Sequence, residues 1–142
     1  MTDHITKKHR SWNMSRIRSR GTKPELAVRS ALKRLGLHFR GHVKRLPGSP
    51  DILLPGQRTV IFVHGCFWHR HKNCKFAYSP KSNLDFWERK FRSNVDRDRR
   101  IRRKLRELGW TVRIVWECQT RKASCLDKLL RRVSSIQPSE AV

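Results

Sequence analysis

Acidic side chains are scarce in this chain: 11 Asp and Glu stand against 34 Lys and Arg among 142 residues, a formal net charge of +23. One basic run such as "RDRRIRRK" (97–104) reads as a solvated helix face. A deficit of acid this large over the whole chain excludes that reading for all the runs and points to a polyanion, nucleic acid rather than membrane. Long apolar runs are missing as well. The strongest is "VIFV" (60–63), far too short to cross a bilayer and suited to a buried strand. The start, "MTDHITKKHRSW", lacks the apolar core of a signal peptide, so a cytoplasmic protein without a membrane partner is expected. Cysteine is limited to Cys66, Cys74, Cys118 and Cys125, and in a reducing compartment Cys close to His argues for metal rather than disulfide. There is no internal repeat, and the length suits one compact domain.

Residues 1–20 read as a basic polar arm. In "TKPELAVRSALKRLGL", Thr22 and Glu25 match a capping box and Pro24 sits in the first turn. Val28, Ala31, Leu32 and Leu35 recur at helical spacing, and Gly36 ends the helix. "LHFRGH" (37–42) is a candidate short strand. "DILL" (51–54) and "TVIFVH" (59–64) flank "PGQR" and predict a hairpin. A tight turn centred on Gly56 and Gln57 would set Asp51 opposite Phe62 to Val63. An irregular loop is expected over 66–82, then a long helical region over 84–108 with at most one break. Its apolar stripe is Trp87, Phe91, Val95, Ile101, Leu105 and Leu108. Asp98 falls on that stripe, where a carboxylate needs a partner because burying it alone is costly. "WTVRIVWEC" (110–118) reads as a strand ending on a cysteine, "CLDKLLRRV" (125–133) as a last helix, and 134–142 as a frayed tail. The fold class expected is α/β, a mixed sheet flanked by helices.

Most of the chemistry is crowded into "VHGCFWHRHKNC" (63–74). Cys66, His71, Cys74 and Cys118 supply three thiolates and one imidazole, a closed tetrahedral set suited to structural zinc. The competing reading makes Cys118 a buried core cysteine, and Cys125, on an apolar helix face, is assigned to that role. Asp51 with oxygen ligands nearby suits magnesium, and the Val63 backbone carbonyl is a natural second ligand across the hairpin. His64 and His69 are then left over. Either has the basicity to deprotonate a water, and the one that does so needs an orienting acceptor, for which Asp98 is available. Magnesium, a His–Asp pair and a basic surface together suggest phosphodiester hydrolysis. Glu25 is ambiguous, since the capping box already explains it. Phe67 and Trp68 either pack a small core around the zinc or form a wedge that unstacks a base step. Trp87 has the same choice, with core packing a strong competitor.

"RSWNMSRIRSRGTKPE", "PDILL", "VIFVHGCFWH", "NVDRDRR" and "LGWTVRIVWEC" resemble the very-short-patch repair (Vsr) DNA mismatch endonucleases, from about Arg10 to Arg132. The resemblance implies a restriction-endonuclease-like domain over 21–133. Such an enzyme nicks duplex DNA 5′ to the T of T·G mismatches that arise by deamination of 5-methylcytosine. It further implies Asp51 and the Val63 carbonyl as magnesium ligands, and His69 as general base oriented by Asp98, with His64 and Glu25 in support. Cys66, His71, Cys74 and Cys118 match the zinc set, and Phe67, Trp68 and Trp87 match the aromatics that wedge into DNA. The segment 11–17 is similar to one that lies against the minor groove. The partners implied are mismatched double-stranded DNA, then mismatch-repair proteins and a repair polymerase, with a monomer acting at the bacterial nucleoid. Two features depart from some members: Val63 stands in place of Thr, and His71-Lys-Asn-Cys74 is one residue longer than His-X-Cys. Two rival readings are a zinc-stabilised DNA-binding module without catalysis and a nuclease on the same core that ignores mismatches.

Overall fold

The computed structural model describes residues 22–134. The arm expected over 1–20, with its segment 11–17, and the tail expected over 134–142, apart from Ser134, lie outside the described residues.

Helix α1 (Lys23–Arg34) starts as its sequence dictates: Thr22 is the N-cap and its hydroxyl accepts the Glu25 N–H at 3.4 Å. It stops at Gly36, whose φ of +71° lets the Leu37 N–H reach back to the Leu32 carbonyl at 3.0 Å. Strand β1 is only Arg40–Gly41, much shorter than the 37–42 segment proposed for it. Strands β2 (Ile52–Leu54) and β3 (Thr59–His64) form the hairpin, paired Leu54 with Thr59, Leu53 with Val60 and Ile52 with Ile61. That register centres the turn on Gly56–Gln57, as predicted. Helix α2 (Leu84–Glu107) is one uninterrupted rod of 24 residues. It crosses over to β4 (Thr111–Trp116), which runs parallel to β3. A 3-10 turn (Glu117–Thr120) and helix α3 (Ala123–Ser134) follow. The sheet order is β1-β2-β3-β4, mixed in direction.

Period-2 alternation divides the strand side chains between two cores. Ile52, Leu54, Ile61 and Val115 meet Val28 and Leu32 of α1 and Leu126 and Leu130 of α3. On the other face Leu53, Val60 and Phe62 pack against Leu105, with Ile101, Val112 and Ile114 at the margin. Strand β3 has neighbours on both edges and layers on both faces, hence its unbroken apolar run.

Three expectations are corrected. Leu108 does not continue the α2 stripe; it is the C-cap, 56% exposed, where the helix ends and Gly109 (φ +92°) turns the chain into β4. The last strand ends at Trp116, so Cys118 stands on the 3-10 turn. Cys125 is exposed rather than buried, since the buried side of α3 is set by Leu126, Leu130 and Val133. No helix among the described residues is long and apolar enough to cross a membrane.

Candidate active site and metal cluster

The hairpin register carries Asp51 alongside the end of β3. Its Oδ2 accepts the Val63 N–H at 2.7 Å. In an extended strand the N–H and C=O of one residue leave on the same side, so the Val63 carbonyl also faces the Asp51 side. Burial raises the Asp51 pKa; the Val63 N–H offsets part of this, and the nearby Glu25 carboxylate adds to it. A cation between these groups would relieve both effects, and the oxygen donors suit a hard divalent ion.

Asp51 lines an open cleft of about 810 Å³ together with His42, Val63, His64, His69 and Asp98. His69 comes from the loop after β3, and Asp98 from α2. The Nδ1 of His69 lies 2.6 Å from Asp98 Oδ2, so the carboxylate predicted to need a partner has one. Burial pushes Asp98 up, but the hydrogen bond and charge of His69 outweigh it and the net shift is downward. His64 stacks on His69 with centroids 3.8 Å apart. Burial first, and then His69, hold the His64 imidazole down at about 3, so it stays neutral. Its buried Nδ1 has no hydrogen-bond partner among the described residues.

Glu25 is 2% exposed, and its Oε1 lies 2.8 Å from His42 Nε2 and 3.1 Å from Arg29. Ligand atoms of Glu25, His42 and Asp51 fall within 4.8 Å of one another. His42 was not foreseen. It ends a segment with no chemical signature, and only the pairing of β1 with β2 brings it beside Asp51.

Cys66, His71, Cys74 and Cys118 converge in the same way, with ligand atoms all within 4.8 Å. His71 Nδ1 lies 3.7 Å from Cys66 Sγ and 3.5 Å from Cys118 Sγ. The loop closes through Arg70 and Asn73, both with left-handed backbone (φ 55° and 54°). Asn adopts that conformation more readily than most residues, which accommodates the longer His71–Cys74 spacing. Burial pushes the Cys66 thiol up to about 12, so a proton must be displaced by a metal before this sulfur is a thiolate. The set could hold a four-coordinate metal ion.

Phe67 sits at the centre of an aromatic cluster with Trp68, Trp87, Phe91 and Tyr78, centroids 4.8 to 5.4 Å away. Arg70 caps it, its guanidinium 4.2 Å over the Phe91 ring. The buried Asn94 of α2 donates to the Trp68 carbonyl at 3.1 Å and so ties this loop to the helix. Asn94 was missed because an Asn beside an apolar stripe carries no distinctive signal. Tyr78, Leu84 and Phe86 are more than half exposed at this end of α2, giving an apolar surface.

With this geometry in view, similarity to known proteins is informative. The family model for DNA mismatch endonuclease Vsr matches residues 2–75. The chain is 46% identical over 121 residues to the DNA mismatch endonuclease Vsr of Escherichia coli, covering 85% of this chain and 77% of that one. It is 45% identical over 133 residues to the type II nicking enzyme V.XorIIP of Xanthomonas oryzae pv. oryzae, covering 94% and 97%. The type II nicking enzyme V.NmeAIP of Neisseria meningitidis is 44% identical over 138 residues, covering 96% and 98%.

Proposed function

The chain belongs to the Vsr family of DNA mismatch endonucleases, and from that premise we propose a magnesium-dependent enzyme that nicks one strand of duplex DNA. The nick falls 5′ to the T of a T·G mismatch left by deamination of 5-methylcytosine, on a restriction-endonuclease-like core. The names of the relatives support both halves, mismatch endonuclease and nicking enzyme. The observation that carries the reading is the His69–Asp98 pair opening on the same cleft as Asp51.

In this mechanism Asp98 accepts the Nδ1–H of His69, which leaves Nε2 as the basic nitrogen toward the cleft. His69 then takes a proton from the attacking water, and the Asp98 carboxylate stabilises the imidazolium that results. His64 remains neutral and keeps the His69 ring in plane by stacking. Asp51 and the Val63 carbonyl would hold the magnesium ion, and the Glu25 carboxylate stands beside Asp51. When bound, the ion would supply charge stabilisation at the scissile phosphate and the 3′ leaving oxygen. Phe67, Trp68 and Trp87 would enter the duplex beside the wobble pair, which costs less to distort than a Watson–Crick pair.

Zinc is the ion proposed for the cysteine cluster. With Zn–S near 2.3 Å and Zn–N near 2.0 Å, a tetrahedron has N···S edges of about 3.5 Å. The distances of 3.7 and 3.5 Å from His71 lie close to that value. Such a site works in the bacterial cytoplasm, where thiols stay reduced and a repair polymerase can follow the nick.

Strand-labelled duplexes of one sequence carrying T·G, T·A or C·G test the assignment. Nicking of the T strand of T·G alone is expected, and equal cutting of all three would remove the repair role. Asp51→Ala should abolish nicking while duplex binding persists. Retained nicking would mean that Asp51 is not the metal ligand.

A further inference from the structure

His42 belongs to no role described so far, yet it touches the ion site twice. Its ring donates from Nε2 to the buried Glu25 carboxylate at 2.8 Å, and its backbone N–H donates to the Asp51 carbonyl at 3.0 Å. We propose that His42 is a positioning residue for the divalent ion: it fixes the Glu25 carboxylate beside Asp51, so that two acidic groups meet one cation ready-made.

The surroundings are built around this contact. His42 holds a left-handed backbone (φ 51°), a conformation unfavourable for a residue with a β-carbon. The neighbouring Val43 N–H bonds to Pro50 at 3.1 Å, so β1 and the chain before β2 are laced together where the ring must point. Arg29 donates to the same Glu25 oxygen at 3.1 Å. Its guanidinium lies against Gly41, where a β-carbon would make the Arg29 terminal nitrogen shift. Two carboxylates this close repel, and a flexible Glu25 would swing away from Asp51. Clamped by Arg29 and His42, Glu25 stays within 4.8 Å of the Asp51 ligand atom. Partners of this kind behind a metal ligand are worth about 10–100-fold in metal affinity.

The inference rests on Asp51 holding the ion, and the test separates the two. The full chain, free of magnesium, is titrated with Mn²⁺, bound metal being read from the loss of the free Mn²⁺ electron paramagnetic resonance signal. His42→Asn keeps a residue that tolerates the left-handed backbone but is too short to reach Glu25. It should weaken Mn²⁺ binding about tenfold or more and raise the magnesium midpoint of nicking to match, with the saturating rate within about threefold of wild type. His42→Gln restores the reach and an N–H donor and should recover most of the affinity. Glu25→Gln, which removes charge without shortening the side chain, should weaken Mn²⁺ at least as much as His42→Asn. Wild-type Mn²⁺ affinity in either His42→Asn or Glu25→Gln overturns the proposal, as does a lower saturating rate without a shifted midpoint. Asp51→Ala is the reference. If it binds Mn²⁺ as wild type does, the ion site itself is misplaced; if it loses binding while His42→Asn keeps it, only the His42 assignment fails.

Discussion

His64 and His69 lie face to face, their rings 3.8 Å apart and within 6° of parallel. Two imidazoles at that separation cannot both carry a proton at small cost, and their surroundings decide which one does. His64 is buried and held neutral down to about 3, whereas His69 opens on the cleft with a carboxylate behind it. The proton cycle of the proposed reaction therefore falls to His69.

A stability signature follows from His64. Its folded-state pKa lies below the ordinary value, so between about 6.5 and about 3 the unfolded chain binds the extra proton. Stability should be full above pH 6.5 and fall as pH drops through this window, by up to about 1.4 kcal/mol per pH unit. Urea unfolding at several pH values would show it. His64→Phe keeps an aromatic ring against His69 but cannot titrate, so its slope from pH 6.5 to 4 should be visibly shallower. Identical slopes would mean that His64 is protonated in the folded protein.

Asp98→Asn should cost about 10²–10⁴ in single-turnover nicking while binding of the mismatched duplex stays within a few-fold. The amide can present an N–H to His69 Nδ1 and so favour the wrong tautomer. His64→Phe should lose far less activity than His69→Gln. The reverse order would make His64 the base.

The cysteines make a separate forecast. Cys125 is exposed and belongs to no ligand cluster among the described residues, while Cys66, Cys74 and Cys118 are grouped with His71. One thiol per chain should react with maleimide in the native protein, and none in Cys125→Ser. Stripping the metal with a strong chelator should expose the rest and lower the thermal midpoint by several degrees. Metal analysis should find one zinc per chain, and four rapidly labelled thiols in untreated protein would contradict it.

Duplex affinity should fall steeply with salt, because arginines along α2 displace counterions from phosphates. Filter binding from about 50 to 200 mM KCl should lose about three orders of magnitude or more, as expected for six or more phosphate contacts. A flat profile would assign the +23 charge to something other than DNA.

Much of this geometry was legible because short-range rules govern it. Turn chemistry in "PGQR" fixed the β2–β3 register, and the register alone put Asp51 beside Val63. The helical period on α2 marked Asp98 as a carboxylate in need of a partner, which His69 supplies. Contacts between distant segments that no ligand set or lone buried charge called for were not legible. His42 reaches Glu25 only through strand pairing, and Asn94 reaches the Trp68 carbonyl only because the loop folds onto α2. Cys125 misled because a flanking position on an amphipathic helix resembles a buried one until its angle to the sheet is known.

Helix α2 carries Trp87 in the aromatic cluster and Asp98 behind the imidazole, eleven positions apart, or about 16 Å along an unbroken axis. Asn94 fastens the Trp68 backbone to the span between them. In the proposed reaction the aromatic wedge and the carboxylate that orients the base would therefore share one unbroken strut. A ring displaced at one end would load the same beam that aims the carboxylate at the other.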